Sequence, residues 1–470
     1  MNKTKIIGTI GPSSSNVKIL KELILGGMDT ARFNLSYATY EFCSSAIESI
    51  RMIDKELNTH TSIMIDTNGP DLKVGRLKDE TFLAKGTKIR IYEEDILGDR
   101  TKFSINLKNI VNLINYHDEL VMRDGKIKLK VIDKELEYLI CEVLEEGYIT
   151  ENTGIYIPNK DFKIPYLSTK DKDDILFATK IKADFIALSF VRTSEDILTI
   201  NDLLIENADD HIQLLAKIET EEAVKDIDEI IKVSDGIIVA RGDLGIEVPI
   251  ERIPGIQKSI IKKCQINGKI SVVATEFLSN MEVEARPTRA EVSDIANAVI
   301  DSVDAVMLSG ETTIGRYPVE ALLTMKKILS SAEEDINYNE LLDRAVRTEN
   351  EDITGNIVYS VADCANKLKA KAIITPTNSG YTAKKMSRFR PSSIIIAASS
   401  SIDTVYSLTL HFGVRPVLIK ELNSFDKILE ASKKMTNDLI NAEKGDKIIV
   451  TGGYPFNEVK HTNFMKIEEF

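Results

Sequence analysis

Tryptophan is absent from this chain of 470 residues, histidine occurs 5 times and cysteine 4 times. Cys43, Cys141, Cys264 and Cys364 stand far apart and form no C-x-x-C pair, which speaks against a zinc finger or disulfide framework and for reduced, buried thiols. No apolar run reaches the roughly eighteen residues of a membrane-spanning helix. The first residues, Met1 to Gly8, lead into a strand pattern without the apolar segment of a secretion signal, so the expected location is the cytoplasm. Positive charge is in deficit too: 60 Lys and Arg face 73 Asp and Glu, a net charge of −13. That balance argues against nucleic acid or a membrane surface as partner, and any phosphate must be gripped locally. Two common phosphate grips are missing, the G-x-x-x-x-G-K-[ST] loop and the H-R-D with D-F-G pair; Arg241-Gly242-Asp243-Leu244-Gly245 echoes a kinase loop only superficially.

The chain is instead rich in alternating strand and helix patterns. At roughly 150 residues per domain its length suggests about three domains. Strand patterns are predicted at 5–10, 30–36, 62–67, 185–192, 213–219, 236–243, 270–275 and 305–309, with amphipathic stretches between them at 17–25, 40–57, 171–181, 195–206, 221–233, 256–267 and 288–299. Eight such units predict an α/β chain built on a (β/α)8 TIM barrel. Between the third and fourth strands, residues 71–163 break the rhythm with β-branched residues at period two (87–92, 126–131) and turn signals at Arg123-Asp124-Gly125 and Glu146-Gly147. They read as a small inserted β-barrel domain, with Gly69-Pro70 and Pro165 as its two ends. Strand patterns resume at 370–375, 392–398, 414–419 and 447–451, a C-terminal α/β domain. The expected division is 1–70 with 164–340, 71–163, and 341–470.

In such a barrel the chemistry lies at the C-terminal strand ends. Six of these are polar: Arg32-Phe33-Asn34-Leu35-Ser36, Asp66-Thr67, Lys217-Ile218-Glu219, Arg241-Gly242-Asp243, Thr275-Glu276 and Ser309-Gly310-Glu311. Glu219 and Asp243, on adjacent strands, supply the hard oxygens that Mg²⁺ (or Mn²⁺) takes when held by one or two carboxylates and substrate oxygens. Lys217 and Arg32 supply cations for a phosphoryl group. Gly242 lets backbone N–H groups approach an anion, while Asn34, Ser36, Asp66 and Thr67 form an oxygen-rich set suited to a second, monovalent cation.

These segments resemble the pyruvate kinase family. The likeness runs through Thr4-Lys5-Ile6, Thr9-Ile10-Gly11-Pro12-Ser13-Ser14, Ala31 to Ser36, Asp66-Thr67-Asn68-Gly69-Pro70, Ser189-Phe190-Val191-Arg192, Lys217-Ile218-Glu219 and Val239 to Gly245. Its most specific parts are Arg286-Pro287-Thr288-Arg289-Ala290-Glu291-Val292-Ser293-Asp294 and Met307-Leu308-Ser309-Gly310-Glu311-Thr312. The resemblance implies the last step of glycolysis, transfer of phosphate from phosphoenolpyruvate to ADP giving pyruvate and ATP. It further implies that Lys217 neutralises the migrating group beside Arg32, that Glu219 and Asp243 hold Mg²⁺, and that Asn34, Ser36, Asp66 and Thr67 hold K⁺. The Gly242 and Asp243 amides with the Thr275 hydroxyl would bind the substrate carboxylate; that a hydroxyl and water relay near Thr275 and Ser309 protonates enolpyruvate is a further expectation, separate from the resemblance. Asn34, Ser36, Tyr37 and Lys73 would meet the nucleotide, and the assembly would be a homotetramer.

Several positions depart from the family pattern. Asn68 stands where Lys is usual, Tyr37 where His is frequent, and Lys73 where an Arg commonly contacts nucleotide phosphates; Arg and Lys are not equivalent there, so nucleotide preference stays open. Arg123 replaces an acidic residue and Glu276 a Gln, while Asp71 keeps the acidic character that accompanies K⁺ dependence. In the C-terminal domain Thr377, Ser379, Gly380 and Thr382 precede a helix bearing Lys384, Lys385, Arg388 and Arg390, a candidate phosphate loop closed by residues 452–463. Its effector stays open among fructose bisphosphate, a sugar monophosphate, AMP or none. Two other functions fit parts of the pattern, a Mg²⁺ lyase acting on a pyruvate enolate and a non-catalytic sensor; Lys217 and the large insert weigh against the first.

Overall fold

The computed structural model describes residues 2–70, 72–123, 125–158, 165–207, 211–345, 352–420, 425–454 and 461–469. Eight parallel strands close on themselves: β1 (Lys5–Thr9), β2 (Thr30–Asn34), β3 (Ser62–Asp66), β4 (Phe185–Leu188), β5 (Gln213–Ile218), β6 (Gly236–Ala240), β7 (Ile270–Ala274) and β8 (Ala305–Leu308). Each is apolar along most of its length because both of its faces are covered. Alternate side chains such as Ile7, Met64, Phe185, Leu215, Ile238 and Met307 fill the interior, where Leu410 of the C-terminal unit joins them. The intervening residues, Ile6, Phe33, Ile65 and Ile186 among them, pack outward against the helices. This inward and outward alternation is the period-two pattern of a strand.

Local chemistry sets where helices begin. Ser168 and Thr288 start Thr169–Lys180 and Arg289–Ile300 with complete capping boxes, whose partners are Asp171 and Glu291. Asp171 has a second task, since its Oδ1 accepts the Gly69 N–H at 2.9 Å and fastens the start of the insert. Some expected elements differ, among them the strand predicted at 185–192, which stops at Leu188. The strand predicted at 236–243 stops at Ala240, and Arg241–Glu247 turns helical at once. The helix predicted at 221–233 is two, Glu221–Lys225 and Ile227–Val233, broken at Asp226, whose carboxylate accepts the Ser194 N–H at 2.8 Å.

The insert contributes a seven-stranded sheet around its own core of Val74, Leu83, Ile91, Phe103, Leu129 and Val143. Its outer strands, Leu72–Lys73 and Lys102–Ser104, run on into a bridge between Val74 and Ile105, so the sheet curls edge to edge. Arg123 has φ 49 and Gly125 φ 82; Asp124 and Asp71 lie outside the described residues.

The C-terminal unit is a five-stranded sheet of β9 (Ala372–Pro376), β10 (Ile394–Ser399), β11 (Val414–Leu418), β12 (Lys447–Gly452) and β13 (Phe464–Glu469), in the order β11-β10-β9-β12-β13. Four of these were expected. The antiparallel edge strand β13 was not, because its register comes from β12 and its side chains are largely exposed. Arg390 locks this unit to the barrel through two 2.8 Å bonds to Asp304, both residues being buried. Among the described residues no helix is long and apolar enough to cross a membrane.

Candidate active site

Four ionisable side chains interlock at the C-terminal ends of β2, β3 and β5. Arg32 Nε donates to Asp66 Oδ2 at 2.6 Å and Nη1 donates to Thr9 Oγ1 at 2.9 Å. Asp66 Oδ1 accepts from Ser189 Oγ at 3.0 Å and lies 3.3 Å from Lys217 Nζ, which in turn donates to Ser189 Oγ at 2.7 Å and stands 2.9 Å from Glu219 Oε1. All are buried or nearly so, and burial by itself disfavours the charged forms of the two carboxylates and the lysine. Burial pushes the Asp66 carboxyl up, yet Arg32 and Lys217 outweigh it and hold Asp66 below the ordinary carboxylate value. Burial likewise lowers Lys217, but Asp66 and Glu219 reverse the sign and keep its ammonium charged. Glu219 is driven the other way, first by burial and then by Asp243, with only partial relief from Lys217.

The two oxygens of Glu219 are placed differently. Its Oε2 accepts the Phe190 N–H at 2.6 Å, whereas Oε1 is buried and receives no aligned hydrogen bond despite its nearness to Lys217. An oxygen left in that state suits a metal ion, and Asp243 follows the adjacent strand β6. No group of three or more His, Cys, Asp and Glu gathers among the described residues, so substrate oxygens would have to complete any shell.

Beside this lies the loop after β7. Thr275 and Glu276 have φ of 69 and 57, an unusual pair of left-handed residues. The turn places Thr275 Oγ1 to accept the Gly242 N–H at 3.0 Å, so the two groups expected to bind a carboxylate touch one another. Ser309, half-buried after β8, has its N–H bound to Glu311 Oε2 at 2.8 Å. Strands β2 and β3 set Asn34 beside Asp66 in register; Asn34 Oδ1 accepts the Ser36 N–H at 2.9 Å, and Thr67 Oγ1 faces the Ala187 carbonyl at 3.4 Å. Lys73 Nζ reaches Asn68 Oδ1 at 2.5 Å, while Tyr37 is 84% exposed at the rim.

Three charged strand ends do not join the ring. Arg241 turns to Asp294 at 2.6 Å and to the Thr275 carbonyl at 2.5 Å, lying over the Phe277 ring. Glu311 is buried on the Ser309 and Leu278 amides, and Glu276 is exposed.

Two family profiles match the chain, the pyruvate kinase barrel domain over residues 1–322 and the pyruvate kinase alpha/beta domain over residues 355–468. The chain belongs to the pyruvate kinase family. Pyruvate kinase of Clostridium perfringens is 40% identical over 474 residues, covering 100% of both chains. That of Clostridium acetobutylicum is 39% identical over 472 residues, covering 100% of this chain and 99% of the other. The crystal structure of a pyruvate kinase from Cryptosporidium parvum matches with a TM-score of 0.91 at 33% identity, covering 100% of this chain and 96% of that one. The reaction is the family's, passage of the phosphoryl group of phosphoenolpyruvate to ADP with release of pyruvate and ATP.

For a pyruvate kinase family member two sequence readings need revision. Ser189 was quoted for its resemblance but given no role; it bridges Asp66 and Lys217, and the strand-end rule would have found it had the fourth strand been ended at Leu188. The helix Tyr381–Arg388 carries fewer free cations than its sequence suggests. Lys384 is turned to Gln213 at 3.4 Å, Arg388 is buried, and Arg390 is spent on Asp304. In the loop before it, Thr377 Oγ1 accepts the Gly380 N–H at 2.9 Å and Thr382 shares a 2.8 Å hydrogen bond with Thr462, while Ser379 is exposed. Lys460 lies outside the described residues.

Proposed function

We propose that the interlocked set of Arg32, Asp66, Lys217 and Glu219 carries the phosphoryl transfer, and the observation behind this is the buried ammonium of Lys217 held between Asp66, Ser189 and Glu219. Such a transfer asks mainly for positioning and charge neutralisation. Lys217 meets the migrating phosphoryl group, with Arg32 on the same phosphate. The Gly242 and Asp243 amides and the Thr275 hydroxyl bind the carboxylate of phosphoenolpyruvate. Glu219 and Asp243 hold Mg²⁺ or Mn²⁺, which when bound neutralises charge on the substrate oxygens. Asn34, Ser36, Asp66 and Thr67 hold K⁺, which adds a further positive charge beside the phosphoryl site. Asn34, Ser36, Tyr37 and Lys73 bind the nucleotide. Loss of phosphate leaves enolpyruvate, and a hydroxyl and water relay at Thr275 and Ser309 protonates its carbon.

On this reading residues 1–70 and 164–340 are the catalytic domain, 71–163 a lid, and 341–470 a regulatory domain in which Thr377, Ser379, Gly380 and Thr382 take a sugar-phosphate or AMP effector. The enzyme works in the cytoplasm as a homotetramer. Pyruvate formation from phosphoenolpyruvate, measured with and without ADP, Mg²⁺ and K⁺, tests the scheme: activity should require ADP and Mg²⁺ and be raised by K⁺. Release of pyruvate without ADP would indicate a lyase instead. Replacing Ser309 by Ala should slow ketonisation of enolpyruvate while sparing phosphoryl transfer, Thr275→Ala should slow it and also weaken phosphoenolpyruvate binding, and unchanged ketonisation in both would sink the relay.

A further inference from the structure

Asn68 sits two residues beyond β3, half-buried, between the barrel mouth and the first strand of the insert. Its Oδ1 accepts from Ser36 Oγ at 2.8 Å and from Lys73 Nζ at 2.5 Å. An amide oxygen offers two lone pairs, and here each has a donor. Lys73 is anchored in the insert through its main chain, since its N–H donates to Asn106 Oδ1 at 2.6 Å and its carbonyl accepts the Asn106 N–H at 3.2 Å. The side chain crosses back toward the mouth, where its Nζ meets Asn68 Oδ1. A lysine side chain is long and loses rotamer freedom when it is held.

We propose that Asn68 is a positioning residue for ADP: it holds the Lys73 ammonium inward over Ser36, ready for the nucleotide phosphates. The proposal rests on the reading of Lys73 as a nucleotide contact. Asn68 itself touches no reacting atom. It acts by lessening the ordering that Lys73 must undergo when the phosphates arrive, and it also fixes the Ser36 hydroxyl.

Steady-state kinetics on the intact enzyme, with ADP varied at saturating phosphoenolpyruvate and the reverse, tests this on Asn68→Ala, Asn68→Gln, Lys73→Ala and the Asn68→Ala/Lys73→Ala pair. Asn68→Ala should raise KM for ADP about fivefold, the size expected when one long side chain must be ordered on binding, with a smaller change in kcat and in KM for phosphoenolpyruvate. Asn68→Gln, which keeps an uncharged amide acceptor, should hold KM for ADP nearer the wild-type value than Asn68→Ala does, a result that loss of folding would not produce. The paired variant should bind ADP no worse than Lys73→Ala alone. The proposal is overturned if Asn68→Ala leaves KM for ADP unmoved, or raises it by the same factor whether or not Lys73 is present. An unchanged KM for ADP in Lys73→Ala strikes the underlying nucleotide reading, and the proposal falls with it.

Discussion

Lys217 keeps its proton in surroundings that would strip an isolated lysine of its charge, because two carboxylates face it at 3.3 and 2.9 Å. Lys217→Met should lower kcat by about 10²–10³-fold, the scale of losing one preorganised charge at a transition state. A fall of less than tenfold in pyruvate formation from phosphoenolpyruvate and ADP would place the neutralising charge elsewhere. Lys5 shows the opposite balance. It is fully buried, and burial, reinforced by Arg415, lowers its pKa to about 7 in spite of Asp29 at 3.6 Å. Above pH 7 the folded protein has released a proton that the unfolded chain still binds, so the stability owed to this group rises with pH from about 7 toward the ordinary lysine value, by at most roughly 1.4 kcal/mol per pH unit. Below that window the buried ammonium costs the most. Comparing thermal midpoints at pH 7 and 9, wild type should gain relative to Lys5→Met; a constant gap between the two would refute the buried-amine account. The site lysine was legible from its place beside Glu219 at a strand end, whereas nothing in Thr4-Lys5-Ile6 announces that Lys5 is enclosed.

Among the elements, the end of β3 is the most constrained. Gly69 has φ 72, and a Cβ there would lie 2.6 Å from the Ser189 carbonyl oxygen. Ser189 holds Lys217, so Gly69→Ala should disturb chemistry as well as folding, with kcat/KM down by about tenfold or more, since misplacement by even 1 Å is costly. Gly86 provides the comparison: its φ is 75 and no atom lies within 4 Å of its would-be Cβ. Gly86→Ala should lower the thermal midpoint and leave kcat/KM in place, and equal kinetic losses in the two variants would remove the steric argument. The eight barrel strands were legible because burial on both faces leaves continuous apolar runs. Their exact ends were not. Arg241-Gly242-Asp243 reads as strand continuation yet forms a helical turn, and Glu276 follows Thr275 into the left-handed region, where alternation no longer tells which way a side chain points.

At the scale of the whole molecule, the C-terminal unit is fastened at the bottom of the barrel, away from the mouth. Asp304 just before β8 accepts from Arg390, from the Ser271 hydroxyl at 2.8 Å and from the Phe412 N–H at 3.1 Å. Arg390→Met would leave that carboxylate buried without its cation and should destabilise the protein by about 3–5 kcal/mol. Adding Asp304→Asn should recover part of the loss, as judged from denaturant or thermal unfolding. A single variant within about 1 kcal/mol of wild type would show that the joint does not depend on this pair. The acidic excess noted at the outset coexists with Arg32 and Lys217 at the mouth, each matched there by Asp66 or Glu219.

The amino-acid sequence alone determined the βα rhythm, the place and β character of the insert, the C-terminal α/β unit and the family, because apolar periodicity and short polar strand ends are local properties. It also nominated Arg32, Asp66, Lys217, Glu219, Gly242, Asp243 and Thr275. Tertiary structure alone decided which charges meet. Arg241 resembles a mouth cation yet pairs with Asp294, Arg390 resembles a phosphate ligand yet clasps Asp304, and Ser189 had no assigned role until it was found between Asp66 and Lys217. The reason is physical: the partner of a buried charge is selected by desolvation among groups far apart in the chain, and spacing along the sequence carries no record of that choice.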